Sequence, residues 1–194
     1  EVRFLRAYAY FTLYRYYGGV PLIIEPTGPK PDYVPRATRQ EMFKFLYDEM
    51  AYALDKCLDN RSGIAYGRVT KGAVAGMLAK MKIFHASYIR RAEMYGNKIN
   101  ETTADDVDKT TLYADAVKLC DDIIAGVYGT YKLEEYFPAV FTKRNNEIMF
   151  SVLAEEGVGT GNKIPMGFAG EGKYGATGGR NLTSWLTLLY DIPM

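Results

Sequence analysis

The chain has 194 residues, 48% of them hydrophobic and 24% charged, which is enough for one domain with a sizeable core. A formal net charge of +1 leaves no electrostatic footprint for nucleic acid or an anionic membrane surface, and no run of about 18 apolar residues offers a membrane-spanning helix. Tyrosine is abundant, with 17 against a single tryptophan. Its flat face and polar tip suit half-buried helix packing first and sugar or peptide contact second.

The first predicted helix, Arg3 to Tyr17, is apolar almost all round, through Phe4, Leu5, Tyr8, Phe11, Leu13 and Tyr16. That pattern predicts burial on more than one side. Gly18-Gly19 ends it, Val20 to Ile24 reads as extended, and Pro26, Pro29, Pro31 and Pro35 make a connector that cannot be helical. Because Glu1-Val2-Arg3-Phe4 opens in mid-helix, the chain is expected to be a fragment, incomplete at both ends, with any signal or lipidation segment upstream.

Thr38 and Glu41 stand in capping-box spacing at the start of a second helix. Phe43, Leu46, Met50, Leu54 and Cys57 then repeat at three and four residues as one core stripe. A third helix, near Thr70 to Tyr88, carries Gly72, Ala73, Ala75, Gly76 and Ala79 on successive turns. Each glycine costs about 1 kcal/mol against alanine, so a close approach by a neighbouring helix is expected there. The polar stretch 96–110 reads as a solvated insertion, because Asp105, Asp106 and Asp108 lack the spacing and central glycine of a calcium loop. A fourth helix is predicted with Tyr113, Ala116, Val117, Cys120, Ile123, Ile124 and Val127 on its core face, stopped by Gly126 or Gly129. Cys57 and Cys120, both on predicted core stripes, are expected to be buried free thiols. Glu147 to Leu153 reads as a short extended segment, 157–179 as a glycine-rich loop, and Leu182 to Tyr190 as the start of another helix.

The motifs argue against catalysis. Gly170 to Gly175 satisfies G-x-G-x-x-G but lacks the preceding strand and following helix that bring a pyrophosphate to a helix end. Gly157 to Lys163 imitates a phosphate loop without the Ser or Thr that would hold magnesium. Glu134-Glu135 and Glu155-Glu156 are adjacent pairs whose side chains diverge, so neither aims two carboxylates at one bond. His85, the single histidine, reads as a packed or solvated side chain and not a catalyst, and with no CxxC pair no zinc site is expected. No catalytic residue, metal or cofactor is expected.

Taken together, the segments predict a mainly α fold: a tetratricopeptide-like helical-hairpin array with irregular loops and a few short strands, without the strict repeat period of roughly 34 residues. The run from Glu1 to Phe11, followed by Tyr17-Gly18-Gly19-Val20-Pro21-Leu22, closely resembles the signature helix and turn of the SusD/RagB family. Arg36 to Glu41, Gly67 to Ala73 and Asn146 to Phe150 resemble further family segments in family order, so the likeness spans residues 1 to about 150, and only Leu182 to Tyr190 extends it. The resemblance implies one SusD-like domain over 1–194, with tetratricopeptide-like helices to about 130 and a loop-rich ligand side over about 131–194. It further implies a lipoprotein on the outer face of a Bacteroidetes-type outer membrane, its lipid anchor outside this fragment, capping a SusC-like TonB-dependent channel. Its expected role is to hold oligosaccharide, or in some members oligopeptide, without breaking a bond; a protein-binding tetratricopeptide scaffold is the alternative of another class. The family's ligand residues do not carry over by motif. On chemistry alone, Phe168, Tyr174 and Trp185 are candidate stacking platforms, with Arg180 and Asn162 bonding hydroxyls. Trp185 reads first as an anchor of the last helix in the core, and Tyr174 reads as core as readily as contact. Arg3, Arg6 and Arg15 read as structural.

Overall fold

In the computed structural model the described residues are 1–25, 33–59, 67–95, 107–137, 139–142 and 145–151, all within the unit Glu1–Ser151. They are mainly helical: α1 (Val2–Tyr17), α2 (Arg39–Lys56), α3 (Lys71–Met94), α4 (Lys109–Ile124) and the single turn α5 (Ala139–Thr142). Among these residues none forms a strand. Segments 20–24 and 147–151 carry no regular structure, and the one pairing is an isolated parallel bridge between Leu58 and Thr70. None of the described helices is long and apolar enough to cross a membrane.

Helix α1 buries one stripe, Phe4, Ala7, Phe11 and Tyr14, against α2 and α3. Val2, Leu5, Tyr8, Leu13 and Tyr16 are exposed, so burial on more than one side does not hold among the described residues. Two arginines anchor this helix. Arg6 grips the Glu49 carboxylate of α2 through Nε at 2.9 Å and Nη2 at 2.7 Å, and Arg3 adds a second cationic neighbour at 3.8 Å. Glu49 is buried, and an unpaired charge there would be strongly destabilising. Gly18 then takes a positive φ of 69°, its N–H donating to the Tyr14 carbonyl. The chain returns beside itself, with the Ala37 N–H on the Val20 carbonyl at 3.1 Å. A Cβ on Gly19 would collide with the Ala37 carbonyl, which is why that turn needs glycine.

The capping box of α2 forms as its spacing predicts. The Thr38 hydroxyl accepts from the Glu41 N–H at 3.2 Å, and the Glu41 carboxylate accepts from the Thr38 N–H at 2.8 Å. Met42, Phe43, Leu46, Met50 and Ala53 follow as the buried face, closed by Cys57, which is buried and free.

Helix α3 runs well past Tyr88, to Met94, and is the one helix packed on each of α1, α2 and α4. The glycines of its first turns do lie under close neighbours, but these are side chains from the later loop and not a helix backbone. A Cβ on Gly72 would overlap the Tyr131 phenol, and one on Gly76 would lie 3.2 Å from the Met149 methyl. The Tyr131 hydroxyl also shares a hydrogen bond of 3.0 Å with Thr70 Oγ1, the side chain that caps α3.

Helix α4 packs on α3 through Leu112, Ala116 and Leu119, joined by Lys82 to Asp115 at 2.7 Å. This displaces the predicted core face by one residue. Val117, Ile124 and Val127 are exposed, and so is Cys120, which overturns its reading as a buried thiol. Both stripes have helical spacing, so only the position of α3 decides between them.

Two outcomes test these assignments. Thr38→Ala lowers stability by about 1 kcal/mol in denaturant titration. Glu41's carboxyl is held below its ordinary range by the Thr38 N–H and then the Thr38 hydroxyl. Its stabilisation is therefore present above the unfolded value of about 4.3 and lost as pH falls through the lower folded value. Consequently Glu41→Gln shows a shallower loss of stability than the parent between about pH 5 and pH 3. In α3, Gly72→Ala destabilises by about 1–3 kcal/mol by driving Tyr131 off its seat. Gly76→Ala is near neutral, because the flexible Met149 end can yield and alanine favours helix; equal effects at the two glycines would contradict the packing described.

Candidate functional site

The candidate residues Asn162, Phe168, Tyr174, Arg180 and Trp185 lie outside the described residues, as do the glycine-rich loop and the segment from Leu182 to Tyr190. Asp105 and Asp106 do as well, while Asp108 stands at the N-cap of α4 without a side-chain cap bond. The described residues contribute two concavities and one exposed aromatic turn.

The first concavity lies beneath the segment 130–151, the opening part of the predicted ligand side. Asn145 organises this segment. Its amide nitrogen donates to the Ala139 and Val140 carbonyls at 3.3 and 3.1 Å, and its oxygen accepts from the Glu147 and Ile148 N–H groups at 3.0 and 3.2 Å. The Glu147 carboxylate in turn accepts the Glu134 N–H at 2.8 Å, and the Lys132 N–H reaches the Asn146 carbonyl at 3.3 Å. Two irregular stretches are thereby held side by side. They are fixed to the helices by Tyr131 over Gly72, Met149 over Gly76, and Phe150 edge-on to Phe4 at 5.2 Å. The niche they enclose, among Asp59, Arg68, Thr70, Tyr131, Asn146 and Ser151, measures about 90 Å³. That is room for a few waters and far below the roughly 300–1,000 Å³ of small-molecule pockets. At the tip of the same segment Leu133, Tyr136 and Phe137 are exposed beside Glu134 and Glu135. Each exposed ring is a surface on which the apolar face of a sugar can stack.

The second concavity is a cleft of about 420 Å³ between α2 and α3, lined by Phe43, Tyr47 and His85 with Glu41, Lys44 and Asp48 at its rim, a size within the small-molecule range. Of the packed and solvated readings of His85, the structure takes the packed one, and its side chain is buried. Its ring stacks on Phe43 at 3.8 Å with an interplanar angle of 1°, and Nδ1 shares a 2.9 Å hydrogen bond with the Tyr47 hydroxyl. At the rim, Lys44 pairs with Asp48 at 2.9 Å, and Glu41 is engaged by Thr38. The cleft thus presents an aromatic floor, with the rim charges Lys44 and Asp48 paired and Glu41 held by Thr38.

The residues overlooked in the sequence are Asn145 and Tyr136-Phe137. Asn145 had a readable signal: an asparagine two residues before Glu147 is an Asx-turn former. Tyr136 and Phe137 had none, since aromatic pairs are ordinarily core.

Residues 1–83 match the model of a family described as SusD-like_3, "Starch-binding associating with outer membrane". No curated protein matches. Among solved structures, a SusD-like protein from Bacteroides fragilis has the same fold, with a TM-score of 0.58 at 24% sequence identity. The shared region covers 78% of this chain and 26% of that one, so the chain spans about a quarter of the solved protein's length. Residues 1–83 thus carry the likeness to the SusD-like family, and the chain more widely shares the fold of a SusD-like protein.

Proposed function

We propose that this chain is part of a non-enzymatic glycan-capture protein of the outer membrane, working at the cell surface as the lid partner of a SusC-like TonB-dependent channel. The observation that carries the proposal is the match of residues 1–83, the whole of α1 and α2 and half of α3, to a family whose description is starch binding at the outer membrane. The geometry is consistent with it. Helices α1 to α4 form a packed scaffold, and the irregular segment 130–151 is clamped on it with an exposed aromatic turn at Tyr136-Phe137. A glycan binder needs that division, because a rigid support keeps the ordering cost of the loops low when ligand arrives. The lipid anchor, the outward orientation and the domain division at about residue 130 belong to the same proposal. Asn162, Phe168, Tyr174, Arg180 and Trp185 remain its candidate ligand contacts, beside Tyr136 and Phe137.

Isothermal titration of the full-length protein with starch-type oligosaccharides and with mixed oligopeptides tests this reading. Saturable heat is expected with the oligosaccharides alone, with chromatography returning them uncleaved. Binding of peptides alone would transfer the role to a peptide lid, and released shorter sugars would make it an enzyme. Tyr136→Ala with Phe137→Ala is expected to weaken oligosaccharide binding by about 1–3 kcal/mol if both rings stack on sugar, with the unfolding midpoint unchanged.

A further inference from the structure

The exposed Tyr136-Phe137 turn is held at both of its ends by two side chains that stand close together in the sequence, Asn145 and Glu147. On the near side the Glu147 carboxylate accepts the Glu134 N–H at 2.8 Å. On the far side the carbonyls of Tyr136 and Phe137 accept the N–H groups of Ala139 and Val140 at 2.9 and 3.2 Å. The carbonyls of Ala139 and Val140 in turn accept the Asn145 amide nitrogen at 3.3 and 3.1 Å. Asn145 and Glu147 are themselves joined, because the Asn145 oxygen accepts the Glu147 N–H at 3.0 Å as well as that of Ile148 at 3.2 Å. A chain of hydrogen bonds therefore runs from the two ring-bearing residues through α5 to Asn145, and back through Glu147 to the start of the turn.

The Tyr136 and Phe137 side chains are 70% and 73% exposed, so packing holds them little and the backbone decides where they stand. Such bonds add little net stability, since water satisfies the same groups in the unfolded chain. What they supply is a fixed direction for the rings, which lowers the ordering cost when a ligand arrives. Only a carboxamide suits position 145, donating from one end to two carbonyls while accepting two amides at the other. An aspartate of the same shape accepts only, and would set a carboxylate against those carbonyls. We infer that Asn145 is a positioning residue, which together with Glu147 clasps the Tyr136-Phe137 turn so that its rings meet the apolar face of a sugar already oriented. The inference takes its ligand from the glycan-capture reading above, while the clasp itself is tested without ligand.

Asn145→Asp in the full-length protein is read in two ways. In hydrogen exchange the amides of Ala139 and Val140 are expected to exchange at least about tenfold faster than in the parent, with those of α2 and α3 unchanged. In titration with starch-type oligosaccharides the substitution is expected to weaken binding about tenfold. In the background of Tyr136→Ala with Phe137→Ala, where no rings are left to position, it should change binding by less than about twofold. Unaltered exchange at the two amides, no loss of affinity in the parent, or equal losses in both backgrounds overturns the inference. Should Asn145→Asp loosen the helices as well, Glu147→Ala removes only the other arm and is read in the same way at the amide of Glu134. A parent that binds no oligosaccharide takes the ligand from the inference along with the reading it rests on. Unaltered exchange in Asn145→Asp overturns the clasp while that reading stands, so the two fail separately.

Discussion

One constraint governs the arrangement: α3 must touch α1, α2 and α4 at once. A helix with three neighbours cannot keep a broad polar face, and α3 buries Ala73, Val74, Ala75, Leu78, Ala79, Met81, His85 and Ala86 around much of its circumference. Small residues let the neighbours approach, and larger ones fill what remains. Phe84 receives the edges of Phe11 and Tyr14 from α1, while His85 stacks on Phe43 of α2. On the other side Lys82 reaches Asp115 and Glu93 meets Lys109 on α4. The two glycines that weaken the helix intrinsically are the points where the loop segment is fastened, so their cost of about 1 kcal/mol each has a structural return.

From this follows the relation between scaffold and site. Among its described residues the segment 130–151 has a single helical turn, and Asn145 and Glu147 bond several of its backbone groups. Its position depends on Tyr131, Met149 and Phe150 reaching α1 and α3. An irregular surface held in this manner can vary in sequence at its tip without disturbing the helices beneath.

Local chemistry was legible in the sequence wherever it is self-contained. The Thr38–Glu41 box lies within four residues, and both partners are visible in the string. Gly18 at the end of α1 was equally readable, and Arg3 and Arg6 read as structural, although only folding selects Glu49 as their partner. What depended on distant partners was not. Two apolar stripes one residue apart run along α4, and nothing local says that Leu112, Ala116 and Leu119 face α3 while Val117 and Ile124 face outward. The neighbours of Gly72 and Gly76 come from more than fifty residues away. The outward face of α1 was misjudged for the same reason: an all-round apolar helix reads as buried whether or not these residues supply its cover. The ligand contacts named from the glycine-rich loop rest on side-chain chemistry alone, whereas Asn145 and Tyr136-Phe137 come from the folded segment that precedes it.

The claim on which the account stands is that α3 is the axis of the assembly, and native-state hydrogen exchange of the full-length protein addresses it directly. The amides from Val74 to Phe84 should exchange only through global unfolding, their opening free energy falling with denaturant as steeply as that of the whole domain. If those amides exchange through a local opening while α2 or α4 stays protected, α3 is a peripheral element and the scaffold is built around a different helix.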